Sequence, residues 1–258
     1  YAEDIPAAIK ALGLTGTGKV TVGGTDYSNA GGKALGALAF TNETTSSATS
    51  LDNDGYTYVK GDGVGTLTLK NAVVISTGAI GISFTKETGS TMTFAIVLEG
   101  QNSVSVSSSG AVDCSGIYSN ADLTVSGGGT LDVSALTAYT GKAYPSCSGI
   151  WTTDGGNLTI NSDVTASAAS GNTVAGNSNY GIRAGGDLTV GASCKVTAAA
   201  GNAEYGSEGI FVTGNLSLEN GAEVTASSGD TTSGYSTGVY GEAQLNLDEG
   251  ARLSATAG

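Results

Sequence analysis

The chain lacks histidine altogether, and its 258 residues include only 2 prolines, 3 cysteines, 1 methionine and 1 tryptophan. Without histidine, acid–base chemistry would fall to carboxylates, lysines and the two arginines, Arg183 and Arg252. No run of about 18 apolar residues occurs, so no segment is predicted to cross a bilayer as a helix. Basic residues are also scarce: Lys and Arg number 10 against 23 Asp and Glu, and the net charge of −13 argues against nucleic acid and anionic membrane surfaces as partners.

What the chain does contain is 42 glycines and, in its second half, a repeat of about 30 residues. Each repeat starts with a glycine followed by isoleucine or valine, and by subtraction the spacings are 33, 32, 28 and 29 residues: Gly116, Gly149, Gly181, Gly209 and Gly238. A segment led by leucine follows each glycine: Leu123, Leu158, Leu188, Leu216 and Leu245. A third short apolar segment closes each repeat. The segments alternate apolar with polar residues and are separated by Gly, Asn, Asp and Ser, which predicts strands and turns.

Three short strands per repeat predict an all-β fold, a single-stranded right-handed parallel β-helix of about seven coils. One coil cannot bury its own apolar face, so the coils must stack, and the five leucines are expected to form one buried row with parallel pairing. Two polar columns support this register. Before the third strand, charge alternates in sign over the last four coils: Thr130, Asp163, Lys195, Glu223 and Arg252. Before the second strand, carboxylates alternate with amides that can hydrogen-bond in a ladder: Asp122, Asn157, Asp187, Asn215 and Gln244.

The repeat pattern divides the chain at about residue 55. Residues 55–258 are assigned to the β-helix, with regular coils from about residue 115, and residues 1–54 to an N-terminal cap and an irregular loop segment. Residues 5–12 have apolar positions at helical spacing, which predicts a short cap helix over one end of the solenoid. The chain begins at Tyr1 without methionine, so we expect that a signal peptide was removed and that the protein is extracellular or at the cell surface.

Two of the cysteines occupy equivalent positions in adjacent repeats. Cys114 and Cys147 each lie two residues before their glycine, so stacking puts them about 5 Å apart. That separation permits a disulfide, although parallel Cα–Cβ directions do not favour one. The preferred interpretation is a pair of buried small residues, with the disulfide as the alternative, and Cys194 is unpaired in either case.

Three stretches carry a resemblance to a known family: GYTYVK with GTLTLKN (residues 55–60 and 65–71), IVLEGQNSV (residues 96–104) and SGIYSNADLTVSGGGTL (residues 115–131). They resemble the "carbohydrate-binding domain-containing" β-helix surface proteins of anaerobic, often gut-dwelling, Firmicutes. The resemblance covers about residues 55–258 and rests mostly on coil signatures. It implies a secreted or cell-surface right-handed β-helix, similar in shape to pectate lyases, with some relatives that bind acidic plant polysaccharide, sometimes with calcium. It implies no catalytic residues in this chain.

The residue after the inward-facing Ile or Val of each first strand should point outward. This predicts a stripe along one face of the rod: Tyr118, Trp151, Arg183, Phe211 and Tyr240. Further tyrosines precede these strands: Tyr139, Tyr144, Tyr180, Tyr205 and Tyr235. Sugars stack on aromatic faces, so the stripe, with Tyr180, Tyr205 and Tyr235, is the predicted glycan-binding site and would form a flat platform.

Two alternatives compete with an open stripe. The loops at residues 134–148 and 166–179 would bury the aromatic side chains if they fold back over them, which fits a purely structural stalk. A polysaccharide lyase would need carboxylates that hold calcium beside a basic side chain, and the nearest set is Arg183 with Asp154 and Glu208 in adjoining loops. Asp52-Asn53-Asp54-Gly55 resembles the start of a calcium loop, but Gly63 stands where that loop requires glutamate, so no clear calcium site is predicted.

The sequence therefore predicts a secreted or cell-surface, non-catalytic binding or adhesion module, and the resemblance implies a gut bacterium as its source. The expected partner is a polysaccharide or glycoconjugate of plant or host origin, without nucleic acid, membrane insertion, catalytic residues, cofactor or bound metal. The alternatives are a structural stalk of a larger surface protein and a lyase similar to pectate lyase. The oligomeric state does not follow from the sequence.

Overall fold

Stacked parallel strands form a β-solenoid of about six turns. The computed structural model describes residues 19–22, 25–28, 35–41, 44, 47–50, 55–138, 145–153, 155–170 and 177–258. Within these ranges the chain is all-β, which confirms the predicted fold class. The right-handed sense and the count of about seven coils stay predictions. The predicted cap helix at residues 5–12 lies outside the described residues, and the described part contains no helix long and apolar enough to cross a membrane.

Most strands are short. In chain order they are β1 (Lys19–Val22), β2 (Thr25–Ser28), β3 (Leu38–Thr41), β4 (Ser47–Ser50), β5 (Gly55–Lys60), β6 (Val64–Lys70), β7 (Val73–Ser76), β8 (Ile80–Thr85), β9 (Thr93–Glu99), β10 (Gln101–Ser108), β11 (Cys114–Ser119), β12 (Leu123–Thr137), β13 (Cys147–Thr152), β14 (Leu158–Ser170), β15 (Ser178–Ala184), β16 (Leu188–Val190), β17 (Lys195–Ala200), β18 (Gly206–Val212), β19 (Leu216–Leu218), β20 (Glu223–Ser227), β21 (Tyr235–Gly241), β22 (Leu245–Leu247) and β23 (Arg252–Thr256).

The first strands of the coils form a seven-stranded sheet in the order β21-β18-β15-β13-β11-β8-β3. The second and third strands share a 14-stranded sheet, because in two coils they run together into the long strands β12 and β14. They are separate in the last three coils, as predicted. Near the N-terminal end β4, β5 and β6 pair antiparallel, whereas β3 already pairs in parallel with β8. Parallel stacking thus extends before residue 55, and the domain division at that residue stays a prediction.

The predicted leucine row is present in the second-strand row of the solenoid. The five leucines are successive cross-strand partners: Leu123, Leu158, Leu188, Leu216 and Leu245. The first four are at most 3% exposed, which confirms the parallel buried row. The predicted burial of Leu245 is wrong, since this side chain is 53% exposed. Its strand, β22, is at the edge of the sheet, and no strand of the described chain covers it.

The column before the second strands connects adjacent coils through side chain to backbone bonds. The Oδ1 atom of Asp122 accepts from the backbone N–H of Asn157 at 2.9 Å, and Asn157 accepts in the same way from Asp187 at 2.9 Å. Asp187 continues the series to Asn215 at 2.7 Å, and Asn215 to Gln244 at 3.2 Å. The predicted ladder therefore exists, but each side chain pairs with the next coil's backbone and not with the next side chain. These bonds satisfy backbone donors at the corners between strands.

This ladder predicts different outcomes for two substitutions of Asp187. Asp187→Ala removes the acceptor of the Asn215 N–H and should lower the free energy of unfolding by about 1 kcal/mol, as loss of a comparable cap does. Asp187→Asn keeps an acceptor oxygen and removes one of the acidic charges, so it should be at least as stable as wild type. Urea unfolding of both variants measures the difference. Equal stability of the two variants would contradict a role for the side-chain oxygen.

The charged column before the third strands also has the predicted register. Lys195 pairs directly with Glu223, which pairs with Arg252, and the Lys195 Nζ lies 3.4 Å from the Glu223 Oε2. The Oδ1 of Asp163 accepts from the backbone N–H of Lys195 at 2.8 Å. Because the Lys195 and Glu223 side chains are largely exposed, their ion pair supports the register more than it adds stability.

Cys114 and Cys147 form a disulfide, so the preferred interpretation of two unbridged cysteines is wrong. They are direct partners on β11 and β13, with Cα atoms 4.6 Å apart, within the range that a disulfide spans. Both are buried at the corner between the first and third strand rows, against Val106, Ala135 and Ala168. In this enclosed apolar corner the sulfur atoms have each other as partners. Cys194 is free, as predicted.

Candidate functional site

The predicted stripe occupies one continuous row across the seven-stranded sheet. Five residues on β11, β13, β15, β18 and β21 are successive cross-strand partners: Tyr118, Trp151, Arg183, Phe211 and Tyr240. In each strand the preceding isoleucine or valine faces the core, and the four isoleucines among them are fully buried. We call these five residues the aromatic stripe. The sequence repeat therefore aligns them in the register that was predicted.

The rings of the stripe contact one another and do not form a flat platform. Tyr118 and Trp151 meet edge to face, with ring centroids 5.1 Å apart and planes at 76°. Phe211 and Tyr240 are stacked at 5.3 Å with planes at 7°. Cross-strand partners that stack in this way face each other along the solenoid axis. The stacked pair therefore turns ring edges toward solvent over most of its length.

Arg183 lies at the centre of the stripe among three aromatic rings. Its Cζ atom is 5.0 Å from the centroids of Trp151 and Tyr180 and 5.7 Å from that of Phe211. These distances fit cation–π contacts. Arg183 makes no ion pair with any residue that the structure describes. The rings hold the guanidinium in position, and no described carboxylate lies within ion-pair distance of it.

Three of the additional tyrosines adjoin the stripe, Tyr180 at its centre and Tyr205 and Tyr235 toward its C-terminal end. Tyr180 contacts Phe211 at 5.7 Å, Tyr235 contacts Tyr240 at 6.4 Å, and Tyr205 contacts Tyr235 at 6.1 Å. Together with the stripe they form one network of rings around Arg183. Tyr139 and Tyr144, which were also expected near this edge, lie outside the described residues.

Exposure increases along the stripe toward its C-terminal end. Tyr118, Trp151, Arg183 and Phe211 are half-buried. The outer tyrosines are more open, since Tyr240 is 39%, Tyr235 48% and Tyr205 53% exposed. Parts of both loops that were considered as covers, residues 139–144 and 171–176, lie outside the described residues. The described residues thus give the network a half-buried section and an open end.

Glu208 lies beneath this network in strand β18, so its predicted position in a loop is wrong. It pairs directly with Tyr180 on one side and with Thr237 on the other. Its side chain is fully buried, and no described residue donates a hydrogen bond to either carboxylate oxygen. The buried Thr237 hydroxyl likewise has no partner in the described part of the chain. Glu208 is the one carboxylate in its cross-strand column, beside Ser115, Ser148, Tyr180 and Thr237. This exception is the feature of the sequence from which Glu208 could have been identified.

The electrostatics of this niche favour a neutral acid. Burial raises the pKa of Glu208 to about 7, and the positive charge of Arg183 lowers it only in part. Burial, and then the neighbouring Glu208, raise the pKa of Tyr180 and of Tyr235. Tyr180 and Tyr235 are therefore neutral across the range in which Glu208 titrates, and Arg183 is the only cation of the described residues that acts on it.

The lyase alternative places Arg183 beside Asp154 and Glu208. Arg183 and Glu208 are indeed close enough for their charges to interact, whereas Asp154 lies outside the described residues. Among the residues that the structure describes, no group of three or more His, Cys, Asp or Glu side chains could hold a metal ion. The calcium-loop resemblance at residues 52–55 falls mainly on undescribed residues.

A shallow depression of about 440 Å³ lies on a different face, over the third strands. It is lined by small residues such as Ser105, Ser134, Ser167 and Ala199, with no charged or aromatic side chain. This surface lacks groups that would orient a ligand, so the aromatic stripe remains the better candidate site.

No protein-family model, curated protein or solved structure matches this chain. The function of the candidate site is therefore argued from its geometry.

Proposed function

We propose that this β-solenoid is an extracellular or cell-surface module that binds glycan, of plant or host origin, along the aromatic stripe without catalysing a reaction. The observation that carries the proposal is the alignment of four aromatic side chains and one guanidinium in a single cross-strand row, in which no described residue forms an ion pair with the guanidinium. Tyrosine and tryptophan combine an apolar ring with a polar tip, which suits reversible contact with the hydroxyls and the apolar faces of sugars.

The shape of the stripe favours an elongated ligand that lies along the solenoid axis. Adjacent coils are about 4.8 Å apart, so ring edges and the guanidinium recur at roughly the length of one sugar unit. The open end at Tyr235 and Tyr240 offers exposed ring surface, and Arg183 offers a planar fork of donors that matches a carboxylate. A polysaccharide with carboxylate-bearing sugars is therefore the ligand class we favour. Physiological salt screens the net charge of −13 beyond about 8 Å, so the local charge of Arg183 dominates at contact distance.

The disulfide supports the proposed location. Disulfides persist in oxidising compartments and are rare in the reducing cytosol. The buried bridge between Cys114 and Cys147 is consistent with export, as is the negative net charge of −13, which keeps a rod-shaped protein soluble.

Trp151→Ala should weaken glycan binding, because it removes the ring that contacts both Tyr118 and Arg183. Truncation of an anchor residue typically costs about 1–3 kcal/mol of binding free energy. A glycan array with the wild-type protein identifies a ligand, and titration calorimetry compares the variants. Leu136→Ala is the control, since Leu136 is 46% exposed on a different face. Equal affinity of Trp151→Ala and wild type, or release of unsaturated sugars from polygalacturonate by the wild-type protein, would contradict the proposal.

A structural stalk is the second candidate, and the ring contacts favour it. Because Tyr118, Trp151, Phe211 and Tyr240 already pack on neighbours, the stripe also ties adjacent coils together. In a stalk, Trp151→Ala would lower the melting temperature while no glycan on the array binds the wild-type protein. The same experiment thus distinguishes the two candidates.

A further inference from the structure

The Glu208 carboxylate lies in a niche over Gly206, where a side chain would crowd both the carboxylate and the Ser178 hydroxyl. A Cβ atom on Gly206 would lie 3.2 Å from each carboxylate oxygen of Glu208. Tyr235 is the cross-strand partner of Gly206 on the outer side, in strand β21. The carboxylate thus lies over a position without a side chain, at the buried base of the aromatic network.

This carboxylate has none of the partners that a structural acid normally has. Among the residues that the structure describes, neither oxygen has a hydrogen-bond donor, and the adjacent Thr237 hydroxyl has no partner either. Buried polar groups in native proteins are nearly always paired, so an unpaired acid at a surface with a candidate ligand suggests a functional role. Because its oxygens are fully covered, a ligand would not touch Glu208 directly.

The group through which Glu208 can act is Arg183. The niche is faced by Tyr180 and Arg183 of strand β15 and by Tyr235 and Tyr240 of strand β21. Tyr205 lies beyond them, in contact with Tyr235. Arg183 is the cation among these groups, and Asp113, which precedes β11, adds a negative charge that acts on Tyr180. Tyr180 contacts both partners, as the cross-strand neighbour of Glu208 and as one ring of the cage around the guanidinium.

We propose that Glu208 is a positioning residue for Arg183: when protonated it leaves the guanidinium free to bind an anionic ligand, and when ionised it draws the guanidinium inward and repels that ligand. This inference rests on the proposed function, because it concerns carboxylate-bearing glycan on the same stripe. The coupling makes binding tighter in acid than in alkali. It also requires that the complex take up a proton at pH values where free Glu208 is ionised.

The size of the effect follows from the protonated fraction. With a pKa of about 7 for Glu208, about nine-tenths of the molecules are protonated one pH unit below that value and about one-tenth one unit above it. The apparent affinity for an oligogalacturonate, whose own carboxylates are ionised throughout, should therefore fall about tenfold between about pH 6 and about pH 8. Binding of a neutral xylo-oligosaccharide should change much less.

The first measurement is titration calorimetry with oligogalacturonate at both pH values. Glu208→Gln should bind oligogalacturonate equally at both pH values, with the affinity that the wild-type protein has at the lower pH. Glu242→Gln removes a carboxylate from an exposed position after β21 and should keep the wild-type dependence. Arg183→Gln should bind weakly at both pH values. The same pH dependence in Glu208→Gln as in wild type would overturn the proposal.

The second measurement needs no glycan. The chain has 1 tryptophan, and the guanidinium lies 5.0 Å from its ring centroid, so Trp151 fluorescence reports movement of Arg183. The Trp151 fluorescence should change with pH near neutrality in the wild-type protein and in Glu242→Gln, but not in Glu208→Gln or Arg183→Gln. If no glycan binds at any pH but this titration occurs, the proposed function fails and the coupling stands. If glycan binds without pH dependence and the fluorescence does not titrate, the coupling fails and the proposed function stands.

Discussion

Gly181→Ala is expected to destabilise the solenoid by about 3 kcal/mol or more. A Cβ atom on Gly181 would lie 2.5 Å from the backbone nitrogen of Ala199 and 2.6 Å from the carbonyl oxygen of Gly209. Ala199 belongs to the third-strand row and Gly209 to the next coil, and both atoms are backbone. Neither can move without separating strands that are held by ladder hydrogen bonds, so the methyl group cannot be accommodated locally.

Urea unfolding followed by circular dichroism measures this loss, which for a chain of this size corresponds to a fall in melting temperature of about 6–12 °C. Gly128→Ala is the matched control, since a Cβ atom there would have no neighbour within 4 Å. We expect that control to differ from wild type by no more than about 0.5 kcal/mol. Wild-type stability of Gly181→Ala would mean that the coils do not approach each other as closely as the structure has them.

The same close contact explains why the fold could be predicted from the sequence. A glycine recurs before the inward isoleucine because the first strand row packs on the third at this point, as Gly209 packs on Ser227. The leucine row recurs because one coil has no other way to bury its second strand. Both requirements repeat in every coil, so they are visible as a period even though each strand is only a few residues long.

Features that occur only once could not be predicted in this way. The antiparallel pairing of β5 with β6 and the merging of β12 into one long strand depend on single turns that leave no periodic pattern. Burial of Leu245 depends on a covering neighbour and not on its own segment. The disulfide depends on a Cα separation of 4.6 Å, and a spacing argument could only estimate that distance.

The candidate site also combines a feature that repeats in every coil with features that occur only once. The residues that belong to the site could be predicted from the strand register, because Trp151 and Arg183 hold equivalent positions in adjacent repeats. The orientation of the rings could not be predicted, because edge-to-face and stacked pairs depend on side-chain packing, which the aligned sequence does not reveal. Glu208 was assigned to a loop because it precedes its glycine, yet strand β18 begins two residues earlier, at Gly206.

Glu208→Gln is expected to be more stable than wild type above about pH 8, by at most about 3 kcal/mol, and no more stable at about pH 4. Burial raises the pKa of Glu208 from 4.5 to about 7 in the folded protein. Between these values the folded protein keeps a proton that the unfolded chain releases. The stability associated with the neutral acid is thus fully present below pH 4.5 and is lost as pH rises through 7. Glutamine has the same shape and does not ionise, so it avoids this loss.

Urea unfolding of both proteins at a series of pH values measures the effect as a difference, in which the contributions of the other carboxylates cancel. Glu242→Gln serves as the control for removal of one negative charge, because that residue is exposed and should leave the pH dependence of wild type unchanged. The gap between Glu208→Gln and wild type should open between about pH 5 and about pH 8. A gap that favours wild type at high pH would mean that Glu208 is ionised and paired with Arg183 throughout this range, which would contradict a buried neutral acid and, with it, the control of Arg183 by protonation.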